Sequence, residues 1–465
     1  MQAKINSGSF RDPSGFVFER NGVIFRQINV CYLHDFEALQ QSGLLRLLHE
    51  NGYLIPHEEV GIENAASSEA YRIIKPERIP FVSYPYEWSF SQLKDAALLT
   101  LTIQQKALEY CLSLKDASAY NIQFINGKPV FIDTLSFERY IEGKPWVAYG
   151  QFCQHFLAPL ALMSTTDVRL SQLLRVHLDG IPLDLASRLL PSSTLFRPGI
   201  LFHIHLHAKS QQKYAAKNSF SENSFSIAKT LPKITRANLI GIIINLKKTV
   251  QNLHWTPAGT QWVDYYDITN YTPAAFSHKM KIIEEFLKTS NPQTIWDLGA
   301  NDGTFSRIAC SKGARVIAFD ADAAAVEKNY LRCKSDKETM ILPLVMDLTN
   351  PSPAIGWNNR ERYAIMQRGT ADMALALALI HHLCIGNNLP FAMIAEFLST
   401  LCTQLICEFV PKNDSQVQRL LKTREDIYQW YNKNEFVNSF SNFFTVISEE
   451  PVVESERIIF FMKKK

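Results

Sequence analysis

The sequence predicts two domains: a doubly wound α/β domain with a mostly parallel sheet over residues 256–465, and an α+β domain over residues 1–208. Three observations predict this division. After residue 256, short apolar runs alternate with helical stretches; a glycine-rich turn joins the first run to the first helix; and a polar stretch, Lys209 to Ser226, interrupts the apolar pattern. With 465 residues, the chain has room for two or three domains of about 100–200 residues each.

The alternation after residue 256 predicts five parallel strands followed by a terminal hairpin. Helical crossovers between parallel strands are right-handed and cover both faces of the sheet. Strands are expected at Thr294–Asp297, Arg315–Asp320, Met340–Val345, Ala371–Leu379 and Gln404–Glu408, helices at Thr304–Ser311 and Ala323–Cys333, and hairpin strands at Phe444–Ile447 and Arg457–Met462. Between the domains, residues 209–255 are predicted as a linker and one connecting helix, Ile234–Leu253.

Composition and charge exclude several classes of protein. Hydrophobic residues make up 46% of the chain and charged residues 20%, which excludes disordered, collagen-like and coiled-coil proteins. Lysine and arginine number 48 against 45 aspartates and glutamates, a net charge of +3. A dedicated nucleic-acid binder usually has a much stronger basic excess, so the charge balance disfavours nucleic acid as the partner.

The sequence also bears on the compartment. None of the eight cysteines forms a Cys-x-x-Cys pair, so we expect reduced thiols and no zinc knuckle. Met1–Asp12 lacks the apolar core of a signal peptide, and the longest apolar runs fall well short of the roughly 18 residues that a membrane span requires. We therefore expect a soluble, cytoplasmic protein without a membrane span.

The glycine-rich turn is Asp297-Leu-Gly299-Ala-Asn301-Asp-Gly303, directly after a predicted strand and before a helix. Gly299 allows a tight turn, and Gly303 lets the backbone approach a ligand without a Cβ in the way. Asn301 tolerates a left-handed backbone better than most residues do. The strand–turn–helix context predicts a nucleotide-like cofactor at this turn.

Two further acids stand at predicted strand ends. Asp320 follows Asp297 by 23 residues, a spacing suited to an acid that accepts hydrogen bonds from ribose hydroxyls. Asp347 ends the third strand region and can accept from an adenine amino group. Together with the turn, these acids indicate an adenosine-containing cofactor.

The region resembles the class I S-adenosylmethionine-dependent methyltransferases. The matching strings are WDLGANDG (296–303), VIAFDAD (316–322), VMDL (345–348) and ADMALALALIHHL (371–383). The strings LPLVMDLTNPSPAIGW, ALALIHHL and EFVPKND are similar to the branch that includes nodulation-type bacterial methyltransferases. The resemblance covers residues 256–465 and implies a Rossmann-like, seven-stranded sheet with S-adenosylmethionine as the cofactor.

The resemblance also implies roles for individual residues. It places the methionine moiety of the cofactor against the turn at Gly299, the ribose against Asp320 and the adenine beside Asp347. The cofactor-binding residues that the resemblance implies are Asp297, Gly299, Asn301, Gly303, Asp320 and Asp347. Many members of the family carry Gly at the position of Asn301. The alternative is an NAD-dependent oxidoreductase. The Gly-x-Gly-x-x-Gly fingerprint of that class has three glycines, whereas this turn has two glycines four residues apart and no third, which leaves less room for a pyrophosphate.

Candidates for the chemistry follow the fourth and fifth strands. Methyl transfer from a sulfonium needs a positioned nucleophile and removal of its proton. His381 and His382 stand where ligands bind in an open α/β sheet, so either imidazole could be the base; the alternative is that they only line the pocket or cap a helix. Glu408, Lys412 and Asp414 are candidates for substrate contacts, or ordinary loop charges. The Pro-Pro-aromatic signature of adenine-amino methyltransferases is absent, which disfavours DNA bases as acceptors.

A histidine-rich segment, His203-Ile-His205-Leu-His207, is a candidate metal site. On a strand the three imidazoles would share one face. No carboxylate or cysteine at ligand spacing accompanies them, and on a helix they could not share a face. We therefore predict no metal.

The N-terminal half is predicted as an accessory α+β domain. Strands are expected at Gly15–Phe18, Val23–Arg26 and Ile79–Tyr84, a helix at Asp35–Glu50, one or two helices over Gln92–Leu114, and a hairpin around Asn126-Gly127. The order helix, Asp116, Asn121, hairpin, Asp133 resembles the catalytic segment of protein-kinase-like phosphotransferases, which implies a base at the first Asp and magnesium ligands at the other two.

This second resemblance departs from the kinase pattern at points that matter for activity. Leu114 replaces the usual His, Thr134 and Leu135 replace Phe-Gly after Asp133, and no glycine-rich phosphate loop is evident. We therefore expect a degenerate kinase-like domain, or a turn in an unrelated fold, without phosphoryl transfer.

The sequence thus predicts a methyltransferase that transfers a methyl group from S-adenosylmethionine to a hydroxyl or other nucleophile of a small molecule or glycan, with protein and RNA as open acceptor classes. The alternative is a substrate-recruiting or regulatory binding protein with an incidental methyltransferase fold. The oligomeric state stays open.

Overall fold

The computed structural model describes residues 3–218, 234–257, 271–422 and 424–465. The chain forms two compact units. The N-terminal unit consists of Met1–Thr256 together with the short segment Ile355–Arg362, and the C-terminal unit of Pro257–Ala354 and Tyr363–Lys465. Nothing in the sequence predicts that Ile355–Arg362 belongs with the N-terminal half.

The N-terminal unit begins with an antiparallel sheet of five strands in the order β1-β2-β3-β5-β4. Two short strand pairs follow, β6 with β9 and β7 with β8. The strands are β1 Lys4–Ile5, β2 Gly15–Arg20, β3 Val23–Asn29, β4 His57–Val60, β5 Ala70–Pro76, β6 Leu112–Leu114, β7 Ile122–Ile125, β8 Lys128–Phe131 and β9 Phe137–Arg139. The predicted turn at Asn126-Gly127 joins β7 to β8, with both residues at positive φ.

Helices make up most of the rest of this unit. They are Leu33–Ser42, Leu44–Glu50, Phe90–Glu109, Tyr149–Phe152, Ala158–Thr165, Leu173–Val176, Leu183–Leu189, Pro198–Ile200, His207–Asn218 and Arg236–Gln251, with π-helical turns at Cys153–Leu157 and Leu201–Leu206. Gly43, at φ 82°, ends the first helix, so the single helix predicted there is two. The connecting helix occupies Arg236–Gln251 and packs on Phe90–Glu109, where Lys94 Nζ donates to the carbonyls of Gln251 and Leu253 at 2.9 and 2.7 Å.

Two predictions for this half were wrong. Residues 79–84 form no strand, because Pro80 has no N–H and the Gln123 side chain bonds both the N–H and the carbonyl of Ser83, at 2.9 Å each. Part of the predicted linker is helical: its residues up to Asn218 lie in the helix that begins at His207, rich in Ala, Gln and Lys, which favour helix. Residues 219–226 of that linker lie outside the described residues.

The C-terminal unit is built on a seven-stranded sheet in the order β12-β11-β10-β13-β14-β16-β15. The strands are β10 Thr294–Leu298, β11 Arg315–Asp320, β12 Ile341–Val345, β13 Ala371–Ala376, β14 Cys402–Phe409, β15 Phe444–Pro451 and β16 Ile458–Lys464. The first five in sequence pair in parallel, and β16 joins β14 antiparallel. The predicted doubly wound sheet with its terminal hairpin is confirmed.

Helices cover this sheet at Pro273–Ser290, Thr304–Ser311, Ala323–Ser335, Phe391–Leu401, Ser415–Leu421 and Lys433–Phe440, with a π-helical turn at His382–Gly386. Helix Pro273–Ser290 buries Ile282, Ile283 and Leu287 in a core shared with Ile295 of β10 and Leu375 of β13. The chain leaves β10 toward one edge through β11 and β12, and returns to place β13 on its other side. This reversal opens a crevice at the carboxyl ends of β10 and β13, where ligands bind in such sheets.

None of the helices in the described parts of the chain is long and apolar enough to span a membrane.

Candidate active site

A cavity of about 610 Å³ lies at the carboxyl ends of the first four strands of the C-terminal sheet. Its volume falls within the range of roughly 300–1,000 Å³ that small-molecule sites occupy. Most of the predicted site residues line it, namely Asp297, Gly299, Asn301, Asp320, Asp347 and His382. Gly303 and His381 do not line it.

The glycine turn is held by hydrogen bonds to the neighbouring strand. The N–H groups of Gly299 and Ala300 both donate to the carbonyl of Phe319 at 2.9 Å, and the N–H of Asn301 donates to Asp320 Oδ2 at 2.8 Å. Gly299 and Asn301 have φ of 78° and 50°, so the turn uses the left-handed region that the sequence predicts for them. A Cβ on Gly299 would make an ordinary 3.5 Å contact with Leu379, which leaves the turn open to the cavity.

Gly303 has a different part in the structure from the predicted one. It has φ 79°, but a Cβ there would lie 2.6 Å from the side-chain amide of Asn329 and 2.7 Å from Arg307 Nη1. Gly303 therefore makes room for the Asn329 side chain of helix Ala323–Ser335 and for Arg307, and it does not line the cavity.

Asp297 and Asp320 are carboxylates at the cavity, the first buried and the second half-buried. Asp297 is 2% exposed and accepts a hydrogen bond from Ser306 Oγ at 2.6 Å. Burial raises the pKa of Asp297 to about 7. Burial also raises the pKa of Asp320 to about 6, although the N–H groups of Asp322 and Asn301 donate to its carboxylate at 2.8 Å and favour the charged form. Both carboxyl groups thus exchange protons near neutral pH.

Asp322 was missed by sequence reasoning. It lines the cavity, is 8% exposed, and its Oδ1 caps the helix that begins at Ala323 by accepting from the N–H of Ala324 at 2.8 Å. Its Oδ2 is buried without a hydrogen-bond partner in the part of the chain that the structure describes. Such an atom fits a ligand that brings a hydroxyl or amino donor. An acid two residues past a strand end is indistinguishable in sequence from an ordinary helix cap.

Asp347 lies at the exposed rim of the cavity. Its Oδ1 accepts from the N–H and the hydroxyl of Thr349 at 2.8 and 2.7 Å, which orders the loop that follows β12. The second carboxylate oxygen is the one left for an incoming donor.

The two histidines differ in placement. His382 lines the cavity, and burial lowers its pKa to about 4, so the imidazole is neutral at physiological pH. His381 is fully buried, its ring lies 4.1 Å from that of His382, and neither of its nitrogens has a hydrogen-bond partner within the described residues. Burial lowers the pKa of His381 well below the usual value.

Another wall comes from helix Pro273–Ser290, from Tyr271 just before it and from Phe305 of helix Thr304–Ser311. Tyr271, Phe276, Lys279 and Phe305 line the cavity there, and the Lys279 ammonium lies 4.9 Å from the Phe305 ring centre. Sequence reasoning missed these residues, because a lysine in an amphipathic helix reads as a solvent-facing residue, yet Lys279 is 2% exposed.

The charged residues predicted after the fifth strand are internal contacts. Glu408 is fully buried and bonds Lys279 Nζ at 2.6 Å. Asp414 pairs with Arg457 at 2.7 Å, and Lys412 with Asp426 at 2.7 Å. None of the three predicted charges is among the described residues that line the cavity.

The histidine-rich segment is helical, and its imidazoles have separate partners. His203 bonds the Tyr149 hydroxyl at 2.7 Å and Asn245 at 2.8 Å, while His205 bonds Ser187 and Thr194. The His207 ring stacks on Tyr149 at 5.0 Å. The described residues contain no group of three or more His, Cys, Asp or Glu side chains placed to hold a metal ion.

In the N-terminal unit, Asn121 and Asp133 of the predicted kinase-like segment bond other side chains of the same unit. Asp133 Oδ1 pairs with Arg26 Nη2 of β3 at 2.5 Å, and its Oδ2 accepts from Ser136 Oγ at 2.5 Å. Burial, followed by the nearby charge of Asp133, raises the pKa of Asp116. Asn121 Nδ2 donates to Ser136 Oγ at 3.3 Å.

No protein family model matches the chain. Over 467 aligned residues it is 35% identical to the nodulation protein NoeA of Rhizobium meliloti strain 1021, and the alignment covers 98% of this chain and 96% of NoeA. The chain belongs to the NoeA family. The predicted relationship to bacterial nodulation proteins is thereby confirmed.

Solved structures also align with parts of this NoeA-family chain. The N-methyltransferase NodS from Bradyrhizobium japonicum WM9 is 10% identical, with 41% of this chain and 97% of NodS covered and a TM-score of 0.31. Magnesium protoporphyrin IX methyltransferase ChlM from Synechocystis PCC 6803 is 15% identical, with 41% and 84% covered and a TM-score of 0.31. The bifunctional kinase-methyltransferase WbdD is 14% identical, with 46% and 45% covered and a TM-score of 0.31.

Proposed function

We propose that this NoeA-family protein is a class I S-adenosylmethionine-dependent methyltransferase whose acceptor is a hydroxyl or other nucleophile of a small molecule or glycan. One observation carries the proposal. The glycine turn after β10 and the acids at the ends of β11 and β12 meet in one cavity at the point where the strand order reverses.

The residues present fit this cofactor. Asp320 and the orphaned Oδ2 of Asp322 accept hydrogen bonds from ribose hydroxyls, and Asp347 accepts from the adenine amino group. Asp297 and the turn at Gly299 take the methionine part, where a carboxylate matches an ammonium. When bound, the cofactor supplies a methyl group on a positively charged sulfur.

His382 is the residue we propose as general base, because it lines the cavity and is neutral at physiological pH. His381 stays a candidate for the same role through its contact with the His382 ring. The acceptor nucleophile would lie between the His382 imidazole and the methionine end of the cavity.

Calorimetry with S-adenosylmethionine tests the cofactor. Wild-type protein should bind it, and Asp320→Ala should weaken binding by on the order of 1–3 kcal/mol because a half-buried charged acceptor is lost. Gly299→Val should weaken it by placing a branched side chain at φ 78° beside the ligand. NAD is the control ligand; tight NAD binding without S-adenosylmethionine binding would overturn the proposal in favour of an oxidoreductase.

The acceptor can be found by mass shift. Cell extract is incubated with the protein and a cofactor that carries a deuterated methyl group, and labelled species are sought by mass spectrometry. If the protein binds the cofactor and labels nothing, a recruiting or regulatory binding protein becomes the better reading.

We further propose that the N-terminal unit is a degenerate kinase-like accessory domain that helps to orient the acceptor and transfers no phosphate. The support is the five-stranded antiparallel sheet followed by a long helix, and the Arg26 guanidinium that already neutralises Asp133. A nucleotide-bound magnesium ion would compete with that arginine. Incubation with γ-labelled ATP tests this: label on protein or substrate that disappears in Asp116→Ala and Asp133→Ala would show a second catalytic activity.

A further inference from the structure

Glu408 is the centre of a buried cluster behind the cavity. Its side chain is fully buried and does not line the cavity, but its carboxylate accepts hydrogen bonds from residues that do. Oε2 accepts from Lys279 Nζ at 2.6 Å and from the backbone N–H of Ala378 at 2.8 Å, and Oε1 accepts from the Tyr271 hydroxyl. One carboxylate thus joins two walls of the cavity.

Ala378 stands in an unusual conformation on one of these walls. Its φ is 50°, a left-handed backbone that is strained for a residue with a Cβ. Such a strained backbone persists only where surrounding contacts hold it in place. At Ala378 the contact is the hydrogen bond that its N–H donates to the Glu408 carboxylate. The turn places Leu379 against Gly299, at 3.5 Å from where a Cβ of that glycine would be. The conformation of Ala378 therefore sets how far this wall lies from the glycine turn.

A second part of the cavity lining depends on the same carboxylate through Lys279 and Tyr271. Inside the cluster, the cations Lys279 and Arg457 balance the anions Glu408 and Asp414. Arg457 lies between the two carboxylates and donates to Asp414 at 2.7 and 3.2 Å and to Glu408 at 3.5 Å. Burial by itself would raise the pKa of Glu408, but Lys279 and Arg457 outweigh it and hold that pKa at about 2. Glu408 is consequently ionised at every working pH.

We propose that Glu408 is a positioning residue that holds Ala378 in its left-handed turn and anchors Tyr271 and Lys279 beside it, so that it fixes the shape of the cofactor cavity without touching the ligand. The inference rests on the proposed function for the identity of the ligand. The geometry of the turn itself can be measured without any ligand.

The test uses full-length protein and S-adenosylhomocysteine as the probe. Glu408→Met removes the acceptor oxygens at similar length, and Arg457 keeps Asp414 as its partner. We expect the dissociation constant to rise tenfold or more. Adding Ala378→Gly in the same chain makes the left-handed backbone free of cost and should recover part of the lost affinity, because the contacts of Tyr271 and Lys279 stay broken.

Asp414→Asn is the matched control. It removes one charge from the same buried cluster and retains a capping side chain for helix Ser415–Leu421, but it leaves the Ala378 contact in place. We expect it to lower the melting temperature as Glu408→Met does, while the dissociation constant stays within about twofold. Equal losses of affinity in both variants, or no recovery by Ala378→Gly, would overturn the inference.

Hydrogen–deuterium exchange decides the matter independently of the ligand. The amide of Ala378 should be protected in wild type and in Asp414→Asn, and should exchange quickly in Glu408→Met. If wild-type protein does not bind S-adenosylhomocysteine, the proposed function fails, and the exchange data alone support or overturn the role of Glu408. If wild type binds and the amide stays protected in Glu408→Met, this inference fails and the proposed function stands.

Discussion

Two carboxyl groups, those of Asp297 and Asp320, face a cavity that we propose takes a cationic ligand. Because burial raises the pKa of Asp297 to about 7 and that of Asp320 to about 6, a fraction of each is protonated near neutral pH when the cavity holds no cofactor. A sulfonium and an ammonium favour the ionised forms. Binding of S-adenosylmethionine should therefore release protons, and the affinity should rise between about pH 5.5 and pH 8. Calorimetry at about pH 6.5 in buffers of different ionisation enthalpy measures this release; a buffer-independent enthalpy would contradict it.

Asp297→Asn separates the stability of the fold from binding. The raised pKa means that folded protein retains a proton on Asp297 that unfolded chain has lost, so this residue's contribution to stability is present below about pH 4 and is lost as the pH rises through about 7. At about pH 8 the asparagine variant should be more stable than wild type, with a free energy of unfolding higher by on the order of 1 kcal/mol or more and a correspondingly higher melting temperature. It should bind S-adenosylmethionine more weakly and release fewer protons. A lower melting temperature at pH 8 would show that the buried carboxylate is better compensated than its surroundings suggest.

The pH dependence of methyl transfer tests His382. Since burial lowers the pKa of His382 to about 4, the base is already unprotonated at pH 6, and its contribution to the rate should be flat from about pH 6 to pH 8. His382→Asn should reduce label transfer from the deuterated cofactor by about 10²-fold or more, with the affinity for S-adenosylhomocysteine nearly unchanged. His381→Asn is the comparison, because that ring is buried away from the cavity. A loss of turnover only in His381→Asn would transfer the proposed role to the inner histidine.

At the scale of elements, the two turn glycines form a matched pair. Gly299 and Gly303 have φ of 78° and 79°, so Ala costs nearly the same backbone strain at either position. The methyl group at 299 would meet Leu379 at an ordinary 3.5 Å, whereas at 303 it would collide with Asn329 and Arg307. Gly303→Ala should lower the melting temperature more than Gly299→Ala does, and Gly299→Ala should weaken cofactor binding more. Thermal unfolding and calorimetry on the two variants check both halves, and a reversed order would assign the ligand contact to Gly303.

The sheet was predictable from sequence where the signal is local and repeated. Apolar runs alternating with helical stretches locate β10 to β14, and a glycine turn after a strand indicates the cavity edge. Prediction failed where a side chain distant in sequence satisfies the backbone, as Gln123 does at Ser83. Prediction failed also for the cavity wall around Lys279, because the sequence near that lysine gives no sign that it pairs with the buried Glu408 carboxylate 129 residues later.

At the scale of the whole molecule, the chain order and the structural units do not coincide. Segment Ile355–Arg362 follows the loop of Asp347 in sequence but is part of the N-terminal unit. It closes as a hairpin through an Ile355–Arg362 bridge, and the Arg362 guanidinium lies 4.3 Å from the Tyr120 ring centre. Removing residues 1–208 would strip this hairpin of its contacts, so point substitutions are a cleaner test of the N-terminal unit than deletion is.

The ion pair between Arg11 and Glu361 joins the first residues of the chain to this hairpin. The Glu361 side chain is 2% exposed and accepts from Arg11 Nε and Nη2 at 2.9 and 3.2 Å, while the arginine is 56% exposed. Arg11→Met should therefore leave a buried carboxylate unpaired and destabilise the N-terminal unit by on the order of 1–3 kcal/mol, whereas Glu361→Gln, which leaves the cation in water, should cost less. In the double variant the loss should be smaller than the sum of the two single losses, because Arg11→Met strands no carboxylate once Glu361 is gone. Chemical unfolding of the full chain, monitored by proteolysis at the hairpin, measures these energies. Strictly additive losses would mean that Arg11 and Glu361 are not coupled, so that the hairpin is held by other contacts such as that between Arg362 and Tyr120.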